Sequence, residues 1–455
     1  MSGFIRTRAI SLLLAAILVM PLTGRDAAGA TLIRDTEVEN TIRAYATPLF
    51  EAAGLRGADV RIFLIADDAL NAFVAGGLNL FLHTGLLLKV KNVGELTGVL
   101  AHETGHLAGG HLSRISGRLK AGSTAALVAT ILGVLPAAAT GSGEAGAAII
   151  TAGQGLALGS VLAFSRAQES AADQAAMKLL DLTGQSAQGM ADFFKTIEDQ
   201  ELLPASRQDV YVRTHPITRY RVQDVESHLE RSPYTKTPAN PKFEALFRRM
   251  RAKLRAFLHP PARTLKTYAA TDESIIARYA RAIAYYRLND LDRALPLMDG
   301  LIREEPGNAY FFELKGQALL EAGRIKKALP PYRKAVKLDP DSALIRVDLA
   351  RTLLAMDDRS LVKEAIGHLL FATRESPENS LGWHQLGIAY GHDGQFGMSA
   401  LALAEMSLVR GRLKDALYQV GRAQRKLARG TAGWLRTEDI KRLAKDRLKK
   451  RRQRR

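Results

Sequence analysis

His102-Glu103-Thr104-Gly105-His106 places two imidazoles and a carboxylate within one short stretch of chain. On a helix of 3.6 residues per turn, His102 and His106 fall about 40° apart on one face, so both rings can reach a single ion. Neutral imidazole binds zinc through nitrogen, and the adjacent Glu103 can accept a proton from water as it attacks a carbonyl. This is the HExxH pattern of zinc hydrolases. A hydrolytic zinc site has three protein ligands and an open fourth position, so a third ligand must be sought elsewhere.

His111 is the nearest candidate, in His106-Leu107-Ala108-Gly109-Gly110-His111. The metzincin pattern puts its third histidine six residues after the second, and His111 arrives one residue too early. On an uninterrupted helix it also points about 140° away from His106. It reads as a structural residue or as one that supports a metal ligand from behind. The better candidate is in Ser165-Arg166-Ala167-Gln168-Glu169-Ser170-Ala171-Ala172-Asp173. Glu169 and Asp173 share a helix face, so one can ligate the metal while the other accepts a hydrogen bond from a ligand imidazole. Ala171 and Ala172 allow a second helix to approach closely, and the arrangement is of gluzincin type.

Around these helices the chain divides into parts. Residues 31–230 read as a mixed α/β metallopeptidase unit, with short strands at 60–65 and 78–82, the second after an Ala75-Gly76-Gly77 turn. Residues 231–271 read as a proline-marked linker with a basic helix near 243–258 that stops at Pro260-Pro261. From 272 to 426 the chain repeats. Ala282, Ala294 and Pro306 recur 34 residues later as Gly316, Ala328 and Pro340, then as Ala350, Ala365 and Pro377, the last two after a three-residue insertion. A fourth copy begins with Trp383, Leu386, Gly387 and Tyr390. Small residues at these places let antiparallel helices pack closely, and the spacing is that of tetratricopeptide repeats. Pro330-Pro331 predicts a local kink in one repeat helix. The fold class expected is mainly α with a small β-sheet: an α+β gluzincin domain followed by an α-solenoid that binds polypeptide.

With 455 residues the chain is long enough for two or three domains, and it contains no cysteine, which excludes disulfides, thiolate metal sites and a cysteine nucleophile. Residues 1–30 read as a cleaved secretory signal: Arg6 and Arg8, an apolar run over 9–20, then Ala28-Gly29-Ala30. The expected location is therefore the periplasm. The net charge is +18, and eleven Lys or Arg against three acids in 436–455 put +8 of it in a basic tail, 427–455. That concentration favours anionic lipid head groups or acidic protein surfaces over nucleic acid, with a solvated, partly helical tail as the plainer reading. Two apolar stretches, 121–139 and 146–164, are rich in Ala, Gly, Ser and Thr. They read as a helical hairpin that packs on the core or rests against a bilayer, with full spanning of the bilayer as the alternative their length leaves open.

Several motifs together resemble the HtpX-like gluzincin family, which includes the eukaryotic CAAX prenyl endopeptidases. The chain is most similar to the family's exported BepA type, a metallopeptidase followed by tetratricopeptide repeats. The residues that carry the likeness are Asn71-Ala72-Phe73 with Gly76-Gly77, Thr84-Gly85-Leu86-Leu87, the HETGH segment, Glu169 with Asp173, and Thr214-His215-Pro216 with Arg221. The resemblance implies that His102, His106 and Glu169 bind Zn2+, Glu103 is the general base and Asp173 orients a ligand histidine. It implies that His215 lies on a mobile loop, contacting the metal in a closed state or stabilising the oxyanion in an open one, with Arg221 at a fixed distance behind it. It further implies that Leu78, Asn79, Leu80 and Phe81 form the edge strand on which an extended substrate pairs. Two functions follow as expectations. One is a zinc endopeptidase in quality control of envelope or outer-membrane proteins, with repeats that recruit unfolded or stalled clients or the assembly machinery. The other is a chaperone or assembly factor whose zinc site is latent. The turn lacks the proline frequent in relatives, and the basic tail is outside the family's pattern.

Overall fold

The computed structural model describes residues 31–110, 166–198, 200, 203 and 207–453. The expected signal at 1–30, the apolar hairpin at 121–164 and His111 lie outside the described residues.

A four-stranded sheet supports the first half of the chain. β1 (Thr31–Ile33), β2 (Arg61–Ala66), β3 (Ala72–Val74) and β4 (Asn79–His83) stand in the order β1-β2-β4-β3. β2 and β4 run parallel, while β1 and β3 pair antiparallel with their neighbours. The two strands read from sequence are present, each shifted by one residue. The expected substrate edge is corrected: β4 has β2 on one side and β3 on the other, so Asn79, Leu80 and Phe81 lie in an interior strand, and Leu78 just precedes it. The edge on that side is β3. Its hairpin closes without proline because Gly76 and Gly77 take φ of 63° and 100°, and the Asn79 amide donates to the carbonyls of Ala75 and Gly76. The unbroken apolar runs reflect burial on both faces. Ile62, Leu64, Ala72, Val74, Leu80 and Leu82 join the main core, while Phe63, Phe73 and Phe81 stack on the opposite face at 4.9–5.0 Å.

Helix α1 (Thr36–Ala52) and the short α2 (Thr84–Lys89) flank the sheet, and α3 (Val93–Ala108) runs through the core. Asn92 caps α3 by accepting from the Glu95 amide, and Glu95 in turn accepts from the Lys91 amide. Two more helices, α4 (Arg166–Leu182) and α5 (Gln188–Glu198), press against α3 at glycines. A Cβ on Gly105 would stand 2.7 Å from the Ala172 carbonyl of α4, and one on Gly98 would stand 2.9 Å from the Met190 Cα of α5. Only glycine permits these approaches. α6 (Val210–Thr214) and α7 (Arg219–Arg231) complete this half.

α8 (Pro241–Leu258) occupies the expected linker and is a packed bracket: Phe247, Met250 and Leu254 join the first core while Ala252 and Ala256 join the next. After α9 (Pro261–Thr267) come four antiparallel helix pairs: α10 (Ile275–Arg287) with α11 (Leu291–Glu304), α12 (Ala309–Glu321) with α13 (Ile325–Leu338), α14 (Ala343–Ala355) with α15 (Val362–Glu375), and α16 (Ser380–His392) with α17 (Phe396–Val409). Gly316 lies against Tyr332 and Gly387 against Leu403, the close helix approaches that the repeat demands. α13 runs continuously through Pro330 and Pro331. α18 (Leu413–Gln424) and α19 (Ala432–Gln453) cap the stack. The basic tail is thus a folded helix for most of its length: Thr437, Ile440 and Ala444 are buried, and only its end projects. None of the described helices is long and apolar enough to cross a membrane.

The two halves meet at the start of α1. Glu37 accepts from Arg249 at 2.5 Å and from the Tyr279 hydroxyl at 2.7 Å, and Lys253 bridges it to Asp35. Thr36 bonds Ser342, and Arg34 reaches Glu378. Glu37 is fully buried, so its removal would leave Lys253 and Arg249 without their counter-charge. Glu37→Ala is expected to cost about 3–5 kcal/mol, read as a lower midpoint in urea denaturation of the full chain.

Candidate metal centre

The HETGH segment lies on α3 as expected, with His102 and His106 turned to the same side. Glu169 and Asp173 come from α4, His215 from the residue that ends α6, and Arg221 from the first turns of α7. Gly105 makes the convergence possible, because a side chain there would hold α4 away and carry Glu169 with it.

Four side chains point donor atoms at one space. His106 Nε2 is 3.1 Å from His102 Nε2 and 3.3 Å from Glu169 Oε1. His102 Nε2 is 3.5 Å from Glu169 Oε2. His215 Nδ1 stands 3.4 Å from His102 Nε2 and 3.2 Å from Glu169 Oε1. Ligands at 2.0–2.1 Å around a tetrahedral ion are separated by roughly 3.3–3.4 Å, so this donor set fits such an ion with His215 at the fourth corner. The chemistry agrees. His102 Nδ1 lies 2.8 Å from Asp173 Oδ1, and donating a proton there leaves its Nε2 lone pair facing the other donors.

The supporting contacts converge on Asp173. Arg221 Nε donates to Asp173 Oδ2 at 2.5 Å and Nη2 to Oδ1 at 2.9 Å, while Nη1 meets Glu169 Oε2 at 2.9 Å and the Pro216 carbonyl at 2.7 Å. Its guanidinium also lies over the Phe194 ring, 5.1 Å from the centroid. Burial opposes ionisation of Asp173, yet Arg221 and His102 hold its carboxyl below the ordinary range. Burial likewise opposes the charge on Glu169, and the surrounding histidines hold it far below the usual value. His102 is pushed up to about 9, because Asp173 and Glu169 outweigh its burial, whereas burial lowers His106 to about 3. Burial raises Glu103, whose carboxylate oxygens accept no hydrogen bond among the described residues; the nearest group is His215 Nε2 at 3.6 Å. His102, Glu103, His106, Glu169 and His215 are all 0–1% exposed, so the centre is closed to solvent.

The structure brings together His102, Glu103, His106, Glu169, Asp173, His215 and Arg221. Leu78, Asn79, Leu80 and Phe81 do not form an open edge. Asn71 and His83 pair with each other instead, His83 Nε2 being 3.4 Å from the Asn71 amide. Sequence reasoning missed Tyr211, whose ring lies 4.6 Å from that of His215, and Phe194 beneath Arg221. A buried aromatic on a short helix looks like any other core residue in sequence, so neither was recoverable from the chain alone.

Comparison with known proteins agrees with this site. The profile of Peptidase family M48 matches residues 33–229, and two tetratricopeptide repeat profiles match 279–343 and 319–380. A protein of Yersinia pestis described as "Beta-barrel assembly-enhancing protease" is 25% identical over 412 residues, 89% of this chain and 82% of its own. A Vibrio cholerae protein described as "Putative beta-barrel assembly-enhancing protease" is 28% identical, over 75% of this chain and 70% of its own. Among solved structures, YrrB, described as a TPR protein with an unusual peptide-binding site, matches with a TM-score of 0.32 and 19% identity, covering 39% of this chain and 92% of its own. The chain carries an M48 peptidase domain joined to tetratricopeptide repeats. It is a metalloprotease.

Asp173→Ala is expected to lower metal affinity 10- to 100-fold, since it frees the His102 ring and strands Arg221. Competition against a chelating dye, followed in the full chain, measures it.

Proposed function

We propose that the chain is an exported zinc endopeptidase acting in quality control of envelope or outer-membrane proteins. The observation that carries the chemistry is the convergence of His102, His106 and Glu169 beside the carboxylate of Glu103. All-nitrogen and oxygen donors at tetrahedral separations suit zinc. Zinc bound there would supply a Lewis acid that polarises the scissile carbonyl and acidifies water. Glu103 takes the proton from the attacking water, and its burial, which raises its pKa, suits a base that must later return that proton to the leaving amine. Asp173 fixes the ring of His102, and Arg221 fixes Asp173. His215 occupies the corner that water needs, so it must withdraw before catalysis.

The repeats support a role in presenting unfolded or stalled protein, and the described names of the relatives support β-barrel assembly as the setting. The projecting end of α19 supports contact with anionic lipid. Lys449, Lys450, Arg451 and Arg452 are exposed and form no ion pair among the described residues. The periplasmic location rests on the reading of residues 1–30.

A second reading is favoured by the closed centre: an assembly factor that acts by binding, with a latent metal site. Complementation separates the two. Glu103→Gln is expected to retain metal and lose at least 100-fold in cleavage of unfolded casein, and to fail to restore envelope integrity in a deletion strain. Full restoration by Glu103→Gln would instead favour the assembly factor. For the lipid contact, vesicles containing phosphatidylglycerol should sediment with the full chain at low salt. They should release it when Lys449, Lys450, Arg451 and Arg452 are changed to Gln; equal sedimentation of the two proteins would refute the contact.

A further inference from the structure

One solenoid helix departs from the charge pattern of its neighbours. α13 contains Lys326, Lys327, Arg333, Lys334 and Lys337 and no acid. These five side chains and Pro330 are its exposed residues, while Ala328, Tyr332 and Ala335 bury the opposite face. The exposed positions recur at three- and four-residue intervals, so the cations form one stripe about 16 Å long. Among the described residues only Arg333 meets a counter-charge, Glu364 of α15 at 2.8 Å, and the four lysines form no ion pair.

The stripe costs stability in the helix that bears it. The N-cap, Arg324, makes no side-chain cap bond, and Lys326 and Lys327 stand in the first turn, at the positive end of the helix dipole. Lys334 and Lys337 are three residues apart and Arg333 and Lys337 four, spacings at which like charges repel. Solvation does not demand this arrangement, because the second helices of the other pairs are built differently. α11 mixes Asp292, Asp299 and Glu304 with Arg293 and Arg303, α15 balances Glu364 and Glu375 with Lys363 and Arg374, and α17 carries Glu405 and no cation. A local rule broken on one exposed face points to a surface that a partner completes. The neighbouring charges indicate how wide that partner is. α11 and α15, the counterparts in the adjoining pairs, expose Asp292, Glu304 and Glu375. A broad anionic bilayer would meet those acids as well as the lysines, whereas a narrow acidic segment need meet α13 alone.

We propose that the exposed stripe of α13 is the docking surface for an acidic helical segment of a partner protein. A helix with carboxylates at three- and four-residue intervals presents them with the same rise as the cations, so it lies along the stripe and pairs with it in register. Lysine suits such a contact, since its flexible stem lets each ammonium follow a carboxylate. Pairing also relieves the repulsion within α13. The surface belongs to the solenoid and shares no residue with the metal centre, so its partner need not be a substrate.

The test uses the full chain and two labelled peptides of about twenty residues, long enough to form helix, made of Glu, Ala and Gln. One carries its Glu residues along a single helix face, and the other has the same composition spread around the helix. Binding is followed by fluorescence anisotropy at low salt, where charge pairing is least screened. The one-faced peptide should bind about five-fold more tightly than its isomer, and should lose about ten-fold when Lys326, Lys327, Lys334 and Lys337 are changed to Gln. Changing Lys449, Lys450, Arg451 and Arg452 of α19 to Gln should leave that binding within about two-fold. Lys326→Gln with Lys327→Gln alone should raise the midpoint of urea denaturation, because it removes cations from the positive end of the dipole. Equal binding by the α13 variant and the parent would overturn the proposal, as would equal binding of the two peptides or a lowered midpoint. Release of phosphatidylglycerol vesicles by the α13 variant, with peptide binding unchanged, would overturn it in favour of lipid.

Discussion

The carboxylate of Asp173 joins three helices. It meets His102 of α3, takes a two-pronged grip from Arg221 of α7, and stands one helical turn from Glu169 on α4. All of these groups are buried, where an unpaired charge is costly and a paired one is held to its geometry. Displacing any one helix would break at least one of these pairs. The donor cluster is consequently set by the protein's own ion pairs, and a metal would enter a site whose His102 ring and Glu169 carboxylate are already aimed.

Charge does similar work at the junction between the two halves. Glu37 collects Arg249, Lys253 and Tyr279 from two different helices, and α8 places apolar residues in both cores. The solenoid is therefore fastened to the peptidase unit at the start of α1, beside the sheet that supports the metal centre. The repeats are thus packed on the peptidase unit through α8 and the start of α1, without a flexible tether between them.

The catalytic motif was legible because its chemistry is local. His102, Glu103 and His106 lie within five consecutive residues, and a helix alone turns both imidazoles to one side. Glu169 and Asp173 were legible as a pair for the same reason; their spacing left open which would ligate, the family resemblance favoured Glu169, and the packing of α3 and α4 across Gly105 turns Glu169 toward His102 and His106. The repeats were legible through small residues and prolines at fixed intervals. Strand order was not. The 78–82 run is apolar throughout, and nothing in it distinguishes an edge strand from an interior one; the parallel pairing with β2 made it interior.

The sequence by itself determined the local periodicities: a metal-binding helix face, a second acidic helix face, an α-solenoid, and a chain without thiol chemistry. Tertiary structure alone decided which groups separated by a hundred residues meet. His215 reaches the ligand corner, β3 becomes the outer edge, and the basic tail folds back as a capping helix. The physical reason is that helix faces and repeat intervals arise from backbone geometry over a few residues. Strand order and buried charge pairing depend instead on which distant surfaces exclude water together.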